Sequence, residues 1–206
     1  MARPRDPFSL ALESLRDRAM QGVYLPGRSV VIIEEARRLG LSTTPVREAL
    51  ARLCGEGLME RAPRVGYVAP RVDTSLLRDR FWVRCRCLET SLELTVGLTT
   101  ASVPASDVSG EVAVRDLFDR LVRATGNRAL IEAFRLVDAQ LRMLAETEAR
   151  VFGDVAEEAN ELLRIETVGS QTQLLAAIVA YHRRRIDSAA VLVLEVERRR
   201  QPPAAG

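Results

Sequence analysis

The stretch LGLSTTPVREALARL (residues 39–53) narrows the possible folds more than any other part of the chain. Gly40 suits the residue just after a helix, where φ is positive, and Pro45 suits a first helical turn, because the N–H it lacks has no helical partner there. Ser42 or Thr44 can cap the helix that follows with a hydroxyl. Two helices therefore meet across Gly40-Leu41-Ser42. Ile32, Ile33, Ala36 and Leu39 mark the short first member. In the second, Val46, Ala49, Leu50 and Leu53 form an apolar stripe that turns Thr44, Arg47, Glu48 and Ala51 outward. A helix-turn-helix of this kind can lay its second helix in a DNA major groove.

The flanks extend this motif. Apolar residues at Phe8, Ala11, Leu12, Leu15, Ala19 and Val23 recur with helical spacing, and Leu25-Pro26-Gly27 ends that helix. After Gly55-Glu56-Gly57, residues Leu58 to Arg61 and Val65 to Ala69 read as two short strands around Ala62-Pro63-Arg64, a hairpin standing beside the helix as a wing. From Thr74 onward the pattern predicts only helices, roughly 75–98, 109–125, 128–150, 153–180 and 188–200, with 97–110 as the main loop and QPPAAG as a disordered tail. The expected fold is mainly α: a winged helix-turn-helix over 1–72, then an all-helical bundle domain over 73–206. A chain 47% hydrophobic but only 4% aromatic suits helices better than sheets.

All 30 basic residues are arginine. Residues 1–72 hold 12 arginines against 8 acidic groups, and residues 73–206 hold 18 against 20, so the first third is the part that would prefer a polyanion. No run is long enough to span a bilayer and MARPRDPF lacks the apolar core of a signal peptide, so a cytosolic (cytoplasmic) protein without a membrane partner is expected. Cys54, Cys85 and Cys87 are wrongly spaced for a zinc site and read as free thiols.

A reading helix needs polar groups in its first turn and small residues where the groove floor is close. Thr43, Thr44 and Arg47 supply the groups, and Ala51 the clearance. Arginine can grip guanine O6 and N7 with two bonds, worth roughly 1–3 kcal/mol of discrimination. The helix start at Ser42 favours a phosphate, and Arg64 with Gly66 at the wing tip can approach the backbone or minor groove.

Residues 10–70 resemble the winged helix-turn-helix domain of the GntR family of bacterial transcription regulators, through YLPG (24–27), LGLSTTPVREALARL, GEGLMER (55–61) and RVGYV (64–68). The remainder resembles the effector-binding, dimerising FCD-type domain of the FadR subfamily, through RCLE (86–89) and LFDRLVRATGNRAL (117–130). The resemblance implies a homodimer on a near-palindromic operator in double-stranded DNA, acting as a repressor, with DNA-binding residues Ser42, Thr43, Thr44, Arg47, Arg64 and Gly66. Thr43 stands where the family usually has arginine. The alternative is a helical domain that only dimerises or binds a protein partner.

Many relatives in that subfamily hold a divalent metal with one aspartate and three histidines. Here His182 is the sole histidine, Asp119 stands where a histidine is expected with Arg115 four residues before it, and the next position falls on Gln171, Gln173 or Leu175. The family-type metal site is therefore expected to be lost and no cofactor is expected. An arginine-lined cavity can hold a small organic acid without metal, with Arg84, Arg115, Asp119 and Gln171 as candidate effector residues. His182 reads as a surface or interhelix residue between two helices, and the arginine runs 183–185 and 198–200 as solvated helix ends. Trp82 reads as a core or dimer-interface anchor. With no glycine-rich phosphate loop, no GxSxG elbow and one histidine, an enzyme is not expected.

Overall fold

A computed structural model describes residues 6–96 and 110–200; the expected loop 97–110, except for Gly110, and the QPPAAG tail lie outside the described residues. The chain divides into two compact units. The first comprises the stretch up to Val72, Ala139–Glu146 and the stretch beginning at Glu195; the second comprises Asp73–Asp138 and Thr147–Leu194.

In the first unit, α1 (Pro7–Met20) starts with Asp6 accepting from the Ser9 N–H (3.0 Å) and with proline in its first turn. It stops earlier than the LPG signal implies. Gly22 takes φ 69° and turns the chain away, leaving Val23 exposed instead of on the apolar stripe. Helix α2 (Ile32–Leu39) ends at Gly40, whose φ of 65° lets Leu41 N–H reach back to the Ala36 carbonyl (2.9 Å). Helix α3 (Thr43–Gly55) follows, with Val46, Ala49, Leu50 and Leu53 fully buried against Ala11, Leu15 and Ala19 of α1. Ala139 and Met143 pack on the same core, and the Gln140 amide donates to the Glu56 carbonyl (3.0 Å).

The hairpin pairs β1 (Glu60–Ala62) with β2 (Gly66–Val68) antiparallel, Arg61 opposite Tyr67. The expected first strand, 58–61, is shifted because Leu58 and Met59 are drawn into the core, where both N–H groups bond the Leu53 carbonyl. A third segment backs the hairpin: Gly27 N–H donates to Ala69 O (2.8 Å) and Val30 N–H to Tyr67 O (2.8 Å).

The second unit contains α4 (Thr74–Leu94), α5 (Gly110–Ala124), most of α6 (Arg128–Arg142) and of α7 (Ala145–Val151), α8 (Val155–Val168), α9 (Gln171–Asp187) and the start of α10 (Ala189–Arg200). Its core gathers Leu88 and Leu92 of α4, Leu117 and Phe118 of α5, Phe134 of α6, Leu162 of α8 and Ile178 of α9. Two helices expected to be continuous are broken. The 128–150 stretch turns at Met143-Leu144, where Leu144 is buried. The 153–180 stretch breaks at Gly169-Ser170, because Ser170 and Gln173 form a reciprocal capping box that starts α9 afresh. Helix α9 then runs through the segment expected to separate two helices, so His182 lies within it and is fully buried, not at the surface. The run 183–185 is likewise not uniformly solvated: Arg183 is exposed, Arg184 half-buried and Arg185 fully buried. Trp82 is 58% exposed, outside the core. Cys54, Cys85 and Cys87 are free thiols; the last two are buried, and burial pushes the Cys85 thiol up to about 11. No described helix is long and apolar enough to cross a membrane.

Candidate nucleic-acid interface

The start of α3 is built from three positions. Ser42 occupies the N-cap with extended backbone, but its hydroxyl makes no capping bond. A capping side chain accepts from the second or third helical N–H; Pro45 at the third position has none, which leaves only the Thr44 N–H, and Ser42 makes no bond to it. The Ser42 hydroxyl is therefore free for another partner at the positive end of a helix dipole. Beyond it Thr44, Arg47, Glu48, Ala51 and Arg52 are exposed and Thr43 is half-buried.

Charge pairing separates these arginines. Arg52 and Arg16 share the Glu56 carboxylate (3.2 and 2.8 Å), and Arg18 and Arg38 share buried Glu35 (3.4 and 2.8 Å). Arg47 and Arg64 have no ion pair among the described residues. Their full charge is available to a polyanion. At the wing tip, Pro63-Arg64 form a turn closed by Val65 N–H to Ala62 O (3.3 Å). Arg64 has φ 64°, the only non-glycine at positive φ among the described residues, and Gly66 has φ 98° with no heavy atom near a built Cβ. Holding a residue with a Cβ in that region costs about 1 kcal/mol. Two further exposed arginines without ion pairs, Arg28 on the backing segment and Arg61 on β1, went unidentified in the sequence, where only the regional excess of positive charge hinted at them.

The candidate effector residues of the second unit are held by different partners. Arg84 is buried; its Nε donates to His182 Nε2 (3.1 Å) and its Nη1 to Asp138 Oδ1 (3.3 Å), while Nη2 is buried without a partner. His182 Nδ1 must then carry the proton, which it gives to the Ile178 carbonyl (2.8 Å). Burial, and next the positive charge of Arg84, hold the imidazole neutral, far below its ordinary titration range. Arg115 is half-buried on α5. Asp119 pairs with Arg123 (2.5 Å) and reaches Arg135 (4.0 Å). Gln171 donates to the Leu92 carbonyl (2.6 Å) and alone of the four lines a cleft of about 150 Å³, beside Thr95, Glu166 and Leu174. These residues do not fit a divalent ion: the one imidazole faces a guanidinium, and the candidate carboxylate Asp119 is committed to arginines.

Deeper in the unit, Arg185 donates to Glu148 (2.6 Å), Glu158 (2.8 Å) and the Tyr181 carbonyl (3.0 Å), with its guanidinium 3.3 Å from the centre of the Tyr181 ring. A fully buried cation is tolerated only with such complete pairing.

The sequence profile of the bacterial regulatory proteins of the gntR family matches residues 10–68. An uncharacterized HTH-type transcriptional regulator in the TAR-I ttuE-ttuC' intergenic region of Agrobacterium vitis is 31% identical over 116 residues, covering 56% of this chain and 66% of that protein, just under two thirds of its length. Another, in an unstable DNA locus of Streptomyces ambofaciens, is 29% identical over 178 residues, covering 84% of this chain and 71% of the relative. A crystal structure described as a GntR regulator from Rhodococcus sp. RHA1 superposes with a TM-score of 0.71 at 17% identity, covering 90% of this chain and 97% of that one, which is a likeness of fold.

Proposed function

We propose that the chain is a DNA-binding transcriptional regulator of the bacterial gntR family type that acts as a homodimer, represses by occupying a near-palindromic operator, and belongs with the FadR subfamily; the match of the gntR-family profile to residues 10–68 supports the reading. The observation that carries the proposal is the unpaired Arg47 on the outward face of α3, one turn from the uncommitted Ser42 hydroxyl. In this reading Arg47 reads a base edge, Ser42, Thr43 and Thr44 hold phosphates, and Arg64 with Gly66 follows the adjacent backbone or minor groove. A two-fold axis would present two such helices to half-sites one helical turn apart.

The test is a titration against duplex from the chain's own upstream region at two salt concentrations, with Arg47→Ala alongside. Loss of about 1–3 kcal/mol of preference for that duplex, with weak salt-dependent binding retained, supports base reading by Arg47. Equal binding by both proteins, or no preference over random duplex, would overturn it.

For the second unit two roles compete. A small organic acid is favoured by the buried, unpartnered Nη2 of Arg84, which a carboxylate oxygen would satisfy. A ligand-free scaffold is favoured by the separate commitments of Asp119 and Gln171. Thermal shifts across a panel of carboxylates separate the two: a melting point that rises with ligand concentration assigns an effector, and silence throughout assigns the scaffold.

A further inference from the structure

The stretch Ala139–Glu146 belongs to the first unit although it lies far beyond Val72 in the chain. It meets that unit at two turns. At the end of α3, Gln140 Nε2 donates to the Glu56 carbonyl (3.0 Å), and a Cβ added to Gly57 would fall 2.5 Å from the same nitrogen. At the end of α1, a Cβ added to Gly22 would fall 3.4 Å from the Met143 carbonyl oxygen. At Gly40 and Gly66 the same added atom would meet nothing within 4 Å. Gly40 and Gly66 thus answer to the backbone turn alone, while Gly22 and Gly57 answer also to the close approach of α6 and the residue after it.

We infer that Gln140 is a positioning residue for DNA reading: it locks the C-terminal end of α3 and so sets the tilt at which Arg47 meets the groove. The inference deepens the reading of α3 given above and rests on it.

The rest of what holds α3 leaves that role open. Burial of Val46, Ala49, Leu50 and Leu53 against α1 is non-directional, so the fine setting of the helix angle falls to hydrogen bonds. At the N-terminal end the Ser42 hydroxyl makes no capping bond. The side-chain bonds gather at the other end. Glu56 takes Arg16 of α1 (2.8 Å) and Arg52 (3.2 Å) on its carboxylate, and Gln140 on its carbonyl. A carbonyl at the end of a helix has no partner inside it, so an outside donor is what it needs. Arg47 lies nine residues before Glu56, about 13 Å along the axis, and tilting α3 by about 5° about that end would move the Arg47 backbone by about 1 Å. A side chain that must meet one base edge with two bonds tolerates only about 0.5 Å.

The test uses the full chain with Gln140→Met, which keeps the length of the side chain but cannot donate, and Gln140→Glu, which as a carboxylate cannot donate either. Each is titrated at pH 8 against the upstream duplex and against random duplex of equal length, on protein shown folded by circular dichroism. Both variants should lose about fivefold or more of the preference for the upstream duplex, while random duplex binds as before. A loss of folded protein would weaken both duplexes alike. Equal losses, or an unchanged preference, would therefore overturn the proposal. A second measurement needs no DNA. Amide exchange read by mass spectrometry should quicken in Gln140→Met over Leu53–Met59, where the Leu58 and Met59 N–H groups bond the Leu53 carbonyl, and stay as in wild type over α2. Unchanged exchange over Leu53–Met59 would show that Gln140 locks nothing, whatever the duplexes do. Wild type is titrated first: if it shows no preference for the upstream duplex, the reading of DNA by α3 falls and takes the role of Gln140 with it, even where exchange shows the lock to be real.

Discussion

Ser42 and Arg64 share a property: each sits where the local backbone gains nothing from it. A serine before a helix normally stabilises it by about 1 kcal/mol, but the Ser42 hydroxyl makes no capping bond. Ser42→Ala should therefore leave the midpoint of urea unfolding nearly unchanged, within about 0.5 kcal/mol, while weakening operator binding several-fold; a large stability loss would show a cap that the geometry lacks. Arg64→Gly works through the same logic at the wing. Glycine takes φ 64° without strain, so the variant should be as stable as wild type or more so by up to about 1 kcal/mol, and yet bind DNA less tightly with a shallower salt dependence. A variant that binds DNA as well as wild type would mean that the strained arginine serves something else. The hydroxyl cluster and the wing arginine could be picked out in the sequence as candidates. The spacing from Ser42 to Pro45 already excludes one of the two capping donors, but that the Thr44 N–H also goes unused could not be read there, nor could the positive φ of Arg64, because nothing about arginine between proline and valine favours it.

At the scale of elements, α9 is the most consequential helix of the second unit. The expected helix 153–180 runs straight through its start, although the spacing of Ser170 and Gln173 is that of a capping box. Its interior was not legible either. The sequence leaves His182 as a surface or interhelix residue and the arginine run as a solvated helix end, and only Glu148 and Glu158, from helices far away in sequence, make a buried Arg185 tenable. His182 follows the same rule through Arg84. Because His182 stays neutral in the folded chain but takes a proton near pH 6.5 once unfolded, the unfolded state binds more protons below that pH. Stability should therefore be unaffected by His182 above about pH 7 and fall as pH drops, by at most about 1.4 kcal/mol per pH unit from this group. His182→Gln keeps an acceptor for Arg84 but cannot be protonated. Urea unfolding at pH 7.5 and pH 5 should show the variant losing less stability than wild type across that interval; parallel losses would place the acid sensitivity in other groups. The break between α6 and α7 had no glycine, proline or cap to announce it, and the burial of Leu141 and Leu144 on either side of the turn shows tertiary packing deciding it.

Over the whole chain, the split at Val72 coincides with a change in what arginine does. In the first unit the cations that matter are those left unpaired on α3 and the wing, while in the second the largest buried side chain is itself an arginine, fully bonded. Composition could not separate these uses, since every cation is the same residue. The order of elements from α1 to the wing was legible because its signals are local: turn glycines, a proline and short apolar repeats. The candidate effector residues were named from resemblance, and the partners they actually hold depend on contacts between helices that no local pattern encodes.

The thiols of α4 carry one more consequence. Cys85 and Cys87 face inward and burial keeps both protonated, so alkylating reagents and mild oxidants meet no nucleophile there while the helices are closed. Any modification of this pair must wait for α4 to part from the bundle. The rate of that reaction is thus a built-in clock for how often the second unit opens.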